Sequence, residues 1–251
     1  MLDQQFLVKN KKIIVAVLLS IVTLILVFSG FVFYKQAVFK DRKDKNKEMV
    51  QDPNADIVDV VKNSPIKEVR LLDDSDHIWG DKNAPVQIIF YGDFDCPFCA
   101  TFHDVLEKVK ADYKDKVKIG FRYYPSHTAS ALLPALAAEC AAEQSKFWEM
   151  YDKLFNDKKN EKMDVDQFNK DAKEIGLRLD EFEKCVDTEK YIDKIQQQWA
   201  EGKESNVNGT PAVFVDKEQL SGSTPWDNYK DQNGQEQEGL KSIIDRHFSN
   251  R

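Results

Sequence analysis

The stretch Val86-Gln87-Ile88-Ile89-Phe90-Tyr91-Gly92-Asp93-Phe94-Asp95-Cys96-Pro97-Phe98-Cys99 decides the fold. Val86–Tyr91 is apolar and β-prone apart from Gln87, and reads as a buried strand. Acidic and small residues interrupt it, and two cysteines spaced i, i+3 then open a helical pattern. Pro97 suits the first helical position, where its missing N–H costs nothing. Cys96 therefore falls at a strand-to-helix junction, beside unpaired N–H groups and the positive end of the helix dipole. Both favour a thiolate, which serves thiol–disulfide exchange as nucleophile and as leaving group. The placement predicts an exposed, acidic Cys96 and a protected Cys99 one turn inside the helix.

Downstream, Phe98, Phe102, Val105, Leu106 and Val109 recur at helical spacing, which predicts a helix from Phe98 to Tyr113 packed on a sheet. Val117–Tyr124 alternates apolar and polar residues, as a second strand does. A helical block follows, with Leu133, Leu136, Cys140, Phe147, Tyr151 and Leu154 on one apolar stripe starting near Pro134. Asp164 is placed to cap a helix that Gly176 stops, and Asp180 to cap the next, which carries Phe182, Cys185 and Val186. Tyr191, Ile192, Ile195 and Trp199 continue the pattern. The chain then returns to β structure at Ala212–Val215 and Gln219-Leu220-Ser221, and closes with a helix from Leu240 to Phe248. This order is an α/β architecture with a largely helical insertion.

The chain has 251 residues, enough for one large domain or two small ones. Its net charge is −7, and its lysines are interleaved with Asp and Glu, so nothing points to nucleic acid. No charge interrupts Ile13 to Tyr34. At about 1.5 Å per residue, that run spans a hydrocarbon core of roughly 30 Å. A cleaved signal peptide would have an apolar region of about 7–15 residues and a small-x-small site. The length favours an uncleaved anchor. Lys9, Lys11 and Lys12 precede the span and Lys35, Lys40, Arg42, Lys43 and Lys45 follow it, so the positive-inside count does not by itself put the N-terminus in the cytoplasm. A long C-terminal domain translocates largely regardless of charge, and disulfide chemistry favours an oxidising compartment. The expected organisation is a cytoplasmic segment 1–12, a transmembrane anchor 13–34, a charged linker 35–76 and an extracytoplasmic domain 77–251, with the helical insertion over about 126–205.

Alone, the C-x-x-C leaves other chemistries open. Zinc would need two more ligands, and Cys140 and Cys185 lie 45 residues apart without a second C-x-x-C. A copper-binding thiol pair would lack a Met or His near Cys96. No metal, nucleotide or flavin motif is present, so no cofactor is expected. Val207-Asn208-Gly209-Thr210-Pro211 runs directly into the late strand. A proline at strand entry is ordinary at a sheet edge. A cis Thr210–Pro211 bond would instead present the Thr210 main chain to a substrate facing Cys96. Asp93, Asp95 and His127 are expected to cap or solvate loops rather than to catalyse.

Cys-x-x-Cys on a first helix, a helical insertion and Thr-Pro before a late strand resemble the thioredoxin superfamily. More narrowly, residues 77–249 are similar to the DsbA-like, membrane-anchored thiol oxidoreductases. The motifs that carry the resemblance are His77-Ile78-Trp79-Gly80, Asn83-Ala84-Pro85-Val86, Asp93-Phe94-Asp95-Cys96-Pro97-Phe98-Cys99, Phe121-Arg122-Tyr123-Tyr124-Pro125, Ala138-Glu139-Cys140-Ala141-Ala142-Glu143-Gln144, Phe147-Trp148 and Gly209-Thr210-Pro211. The resemblance implies a thioredoxin fold, with Cys96 as the attacked and attacking sulfur and Cys99 as its buried resolving partner. It makes Pro97-Phe98 the active-site dipeptide and Thr210-Pro211 a cis-proline loop that docks the substrate backbone. It also implies a second, structural disulfide between Cys140 and Cys185, both on apolar stripes of the insertion. The implied activity puts disulfides into reduced, unfolded secreted or surface proteins. Reoxidation would fall to a quinone-linked membrane partner of the DsbB or vitamin K epoxide reductase type. Phe98 stands where the best-known strong oxidants carry His, which leaves open an isomerase or reductase fed by a membrane electron donor. A non-enzymatic metal- or thiol-binding module is the alternative from another class.

Overall fold

β2 (Val86–Gly92) is buried along its whole length. A computed structural model describes it as part of residues 67–125, 129–220 and 222–251. The expected span Ile13–Tyr34, the linker up to residue 66 and His127 lie outside the described residues. Among the described residues, no helix is long and apolar enough to cross a membrane. In chain order, β1 (His77–Trp79) precedes β2, and α1 (Pro97–Tyr113) connects β2 to β3 (Val117–Tyr123). The helical insertion holds α2 (Leu132–Ala142), α3 (Phe147–Lys159), α4 (Val165–Glu174), α5 (Leu179–Asp187) and α6 (Ile192–Glu204). β4 (Ala212–Val215), β5 (Glu218–Gln219), a short hairpin of β6 (Tyr229–Lys230) and β7 (Glu236–Gln237), and α7 (Leu240–Ser249) complete it.

The main sheet has the order β1-β3-β2-β4-β5. β2 pairs parallel with β3, with Ile88 opposite Ile119, and antiparallel with β4, with Phe90 opposite Val213. The parallel pair requires a crossover, which α1 supplies. Alternation divides β2 between two cores. Val86, Ile88 and Phe90 join a large core with α1, the insertion and α7, whereas Ile89 and Tyr91 join a smaller one with Val69, Leu72, Tyr124, Val207 and Phe214. Each such fully buried side chain contributes about 1.5–3 kcal/mol relative to exposure.

That second core corrects one sequence expectation. The sequence pattern extends the charged linker through Asp76 and opens the fold at His77. Instead Val69, Leu72 and Asp76 are buried. The Leu72 N–H donates to Gln87 Oε1 at 2.9 Å, and Lys67 N–H to the Glu204 carbonyl at 2.9 Å. Gly120 makes room for Leu72: a Cβ there would lie 2.1 Å from Leu72 Cδ2. The physical reason is Arg122, which is fully buried on β3. Its Nε donates to Asp76 Oδ1 at 2.8 Å, its Nη2 to Asp76 Oδ2 at 3.0 Å and its Nη1 to the Tyr91 hydroxyl at 3.0 Å. Arg70 bridges the same Asp76 to Glu201 of α6. Asp76 is therefore the partner of a buried guanidinium rather than a solvated linker charge, and Arg70 is held to it.

Smaller differences have local causes. The single stripe from Leu133 to Leu154 breaks between α2 and α3, where Ser145 takes φ +60° and the Lys146 N–H turns back to the Ala141 carbonyl. Asp164 caps α4 by accepting from the Gln167 N–H at 2.9 Å, and Gly176 follows it at φ +81°. Asp180 does not cap α5. Gln144 grips the Arg178 main chain on both sides, so the helix starts two residues early and Asp180 sits in its first turn. Asp216 at φ +53° makes a tight turn, which moves β5 to Glu218–Gln219.

Cys140 of α2 and Cys185 of α5 form a disulfide with Cα atoms 5.7 Å apart. It closes a 45-residue separation, for which the chain-entropy account gives about 4 kcal/mol. Beside it, the buried Glu139 accepts from His77 Nε2 and Lys194, tying the insertion to β1.

Asp76→Ala strands the Arg122 charge in the interior. Equilibrium urea unfolding is expected to lose about 3–5 kcal/mol, the usual result of removing one partner of a buried pair. A loss below 1 kcal/mol would mean that Glu201 and Tyr91 satisfy Arg122 without it.

Candidate active site

The turn that delivers Cys96 is built by Asp93. Its carbonyl accepts the Cys96 N–H at 3.1 Å, and its Oδ1 accepts the Asp95 N–H at 2.8 Å. Cys96 is then the residue before α1, extended at φ −86° and ψ 121°, with Pro97 as the first helical residue. The Ala100 N–H donates to the Cys96 carbonyl at 3.1 Å, the first bond of the helix. No side chain caps this end, and no acid lies in the first turn. The early N–H groups are left for the Cys96 sulfur.

Cys96 and Cys99 are both free thiols, and their environments push them apart. Cys96 is lowered to about 5. The Cys99 thiol hydrogen-bonded to it is the largest cause; burial opposes the shift, and the Thr210 side chain and the N–H groups of Cys99 and Phe98 support it. Cys99 is raised well above an ordinary thiol, first by burial and then by the Cys96 sulfur next to it. At neutral pH one sulfur is ionised and its neighbour holds the proton that stabilises it.

Thr210 and Pro211 meet this pair from the far end of the chain. The Thr210–Pro211 peptide is cis, and the Thr210 carbonyl lies 3.4 Å from Cys96 Sγ, within reach of the thiol proton. This contact corrects the expectation of an exposed Cys96, which has 0% exposure. Phe98 is the open residue, at 65%. It lines a groove of about 450 Å³ with Asn208, Gly209, Thr210, Pro211 and Leu220. An incoming sulfur must shift part of the cover over Cys96, and the groove beside it can hold the chain that carries that sulfur.

Asp95 is tied to the insertion side of the site loop. It accepts from Lys158 of α3 at 2.7 Å and from Ser130 at 2.8 Å, bracing the site loop against the insertion. Cys140 and Cys185 lie in their own bridge, apart from the thiol pair. His103, four residues after Cys99, is a residue sequence reasoning passed over. It is buried on α1, and its Nε2 lies 3.0 Å from Asp152 of α3. His103, Glu107 and Asp152 are close enough to share a metal ion. The Lys110 ammonium already stands among them, 2.7 Å from Glu107 and 3.6 Å from Asp152, with the Trp148 ring 5.2 Å away.

A family model described as thioredoxin matches residues 73–245. The chain belongs to the thioredoxin family. Among solved structures, its fold is similar to oxidised BdbD from Bacillus subtilis, with a TM-score of 0.60 and 20% identity over 74% of this chain and 100% of that one. It is also similar to α-DsbA1 from Wolbachia pipientis, with a TM-score of 0.55 and 23% identity over 71% of this chain and 92% of that one. The fold is thus the DsbA-like form of the thioredoxin fold. Among curated proteins, the chain is similar to the Na(+)/H(+) antiporter NhaA 1 of Mycolicibacterium vanbaalenii, 30% identical over 158 residues, which is 61% of this chain and 25% of that protein. The chain spans about a quarter of the length of the curated relatives it matches.

In this thioredoxin-family domain, the Asn208 side of the groove and the Asp95–Lys158 brace lacked a sequence signal. Both depend on segments brought together across 63 or more positions, and polar residues in loops carry no period. With the protein reduced, the rate of Cys96 alkylation by iodoacetamide is expected to rise through a midpoint near pH 5, while Cys99 stays unmodified to pH 9. The low folded value also stabilises the reduced form above the ordinary thiol range, a contribution lost as pH falls through about 5. A Cys96 midpoint near the free value of about 8.5 would remove the assignment.

Proposed function

We propose that this protein is an extracytoplasmic thiol–disulfide oxidoreductase that introduces disulfides into reduced, unfolded secreted or surface proteins. The observation that carries the reading is the asymmetry of the two sulfurs, with Cys96 held toward thiolate and Cys99 buried and protonated.

In the oxidised form Cys96 and Cys99 are joined. A substrate thiolate attacks Cys96 Sγ, the Cys96–Cys99 bond breaks, and Cys99 leaves and takes up a proton. A second substrate thiolate attacks the substrate sulfur of the mixed disulfide, and Cys96 leaves as a thiolate. The substrate gives up two electrons and gains a disulfide, and the Cys96–Cys99 pair is reduced by two electrons. Stabilising the leaving Cys96 thiolate favours transfer to the substrate. Thr210-Pro211 and the groove hold the substrate chain while its sulfur reacts. A quinone-linked membrane protein of the DsbB or vitamin K epoxide reductase type takes the electrons away. Ile13–Tyr34 anchors the chain, with residues 1–12 in the cytoplasm and the folded domain outside.

Equilibration with glutathione is the deciding experiment. The reduced dithiol is expected to dominate at potentials where ordinary structural disulfides stay closed. A pair that remains oxidised there would instead fit a reductase or isomerase, for which the neutral Phe98 in the dipeptide is suited. With Cys96 first converted to its mixed disulfide with glutathione, Cys99→Ala is expected to exchange the glutathione for a reduced client and accumulate the Cys96–client mixed disulfide with release of reduced glutathione, and Cys96→Ser to form none.

The placement has its own test. Protease added to sealed spheroplasts is expected to digest the folded domain. Full protection, with digestion only after lysis, would reverse the topology and end the extracytoplasmic reading.

A further inference from the structure

Two carboxylates face each other inside the insertion, far from the thiols in sequence. Asp157 lies near the end of α3 and Asp171 on α4, and both are buried, with exposures of 7% and 1%. One oxygen of each, Asp157 Oδ2 and Asp171 Oδ2, is sealed from solvent and has no hydrogen-bond partner. Two buried, unpartnered carboxylate oxygens side by side cannot both carry full charge without a large cost.

The surrounding groups do not remove that charge. On α3, Lys153 stands 3.5 Å from Asp171 Oδ1, and Glu174 of α4 shares its ammonium. Lys162, in the loop between α3 and α4, faces Asp157. On α4, Gln167 donates to Asp171 Oδ1 at 3.1 Å. On α5, Glu183 is engaged by Asn169 at 3.0 Å. Just after α2, Glu143 pairs with Lys190 and Gln144 with Arg178, and on α1, His103 and Asp104 meet Asp152 and Lys159. These contacts end on other atoms and leave the two Oδ2 positions unmatched.

We propose that Asp157 and Asp171 share one proton and form a pH-operated latch between α3 and α4, closed below neutral pH and loosened above it. A proton between the facing oxygens gives each its missing partner and leaves one negative charge, which Gln167 and Lys153 already meet. Asp157 is accordingly pushed up to about 7, by burial first and then by the adjacent Asp171. An ordinary aspartate titrates near ~3.9. With the folded value above the unfolded one, the stabilisation is complete below the ordinary range and lost as pH rises through about 7. The latch lies next to the site in the chain, because Lys158, the residue after Asp157, carries the ammonium that holds Asp95.

The test uses the full chain with Cys96–Cys99 held oxidised, so that Cys96 does not titrate. Asp157→Asn puts an amide donor between the helices at every pH. Its melting temperature relative to the unaltered protein is expected to rise between pH 5 and pH 8 by on the order of 5 °C. A difference that stays constant across that range overturns the latch. Carbon-13 NMR of the aspartate carboxyls in the unaltered protein gives an independent reading if the variant folds poorly. One carboxyl titrating near pH 7, and moving when Asp171 is replaced by Asn, supports the shared proton. Titration of every aspartate below pH 5 overturns it.

Discussion

At the start of α1, the main-chain N–H groups of Phe98 and Cys99 have no helical carbonyl to bond, and the Cys96 sulfur lies among them. The arrangement depends on Pro97, which opens the helix without wasting a donor, and on Asp93, which turns the chain out of β2. It also depends on the lack of any side-chain cap that would compete for those donors. A Ser or Asp in the Cys96 position would satisfy the same groups and end the chemistry. The sulfur stands where a helix cap would, and these N–H groups add to the Cys99 thiol, which is the largest cause of its acidity.

The site is only as well placed as the strand that leads to it. β2 is packed on both faces, and each face has its own means of closure. The large core is closed by α1, the aromatic face of α3 and α7, including a stacked Phe94–Phe121 pair with ring centres 4.9 Å apart. The smaller core is closed by residues 67–76, which lack regular structure. A buried ion pair across 46 positions holds them there. Burying Arg122 is tolerable because Asp76, Tyr91 and Leu71 meet its donors, and that satisfaction fixes where the segment lies.

Local features were legible in the sequence. The apolar run of β2, the spacing of Phe102, Leu106 and Val109 on α1, the Asp164 cap and the Gly176 stop all act within a few residues, and each lies where its pattern places it. What was hidden depends on distant partners. Arg70 and Asp76 read as linker charges because their buried partner sits on β3. The cover over Cys96 comes from Thr210, 114 residues away. β1 and the β6–β7 hairpin are two or three residues long and too short for any period to register. Asp157 and Asp171 stand in charge-rich helices, and no local pattern marks them off from their acidic neighbours.

The Cys140–Cys185 bridge has a consequence for how each copy of the chain matures. Both sulfurs are buried once α2 and α5 have packed, so an outside thiol has little access to them afterwards. The bond must be closed while the insertion is still open, by whatever oxidises newly made chains. If that oxidant is a finished copy of the same protein, the population seeds itself. Each molecule is then a client before it becomes a catalyst, and the first copies made in a cell with no other oxidant mature slowest.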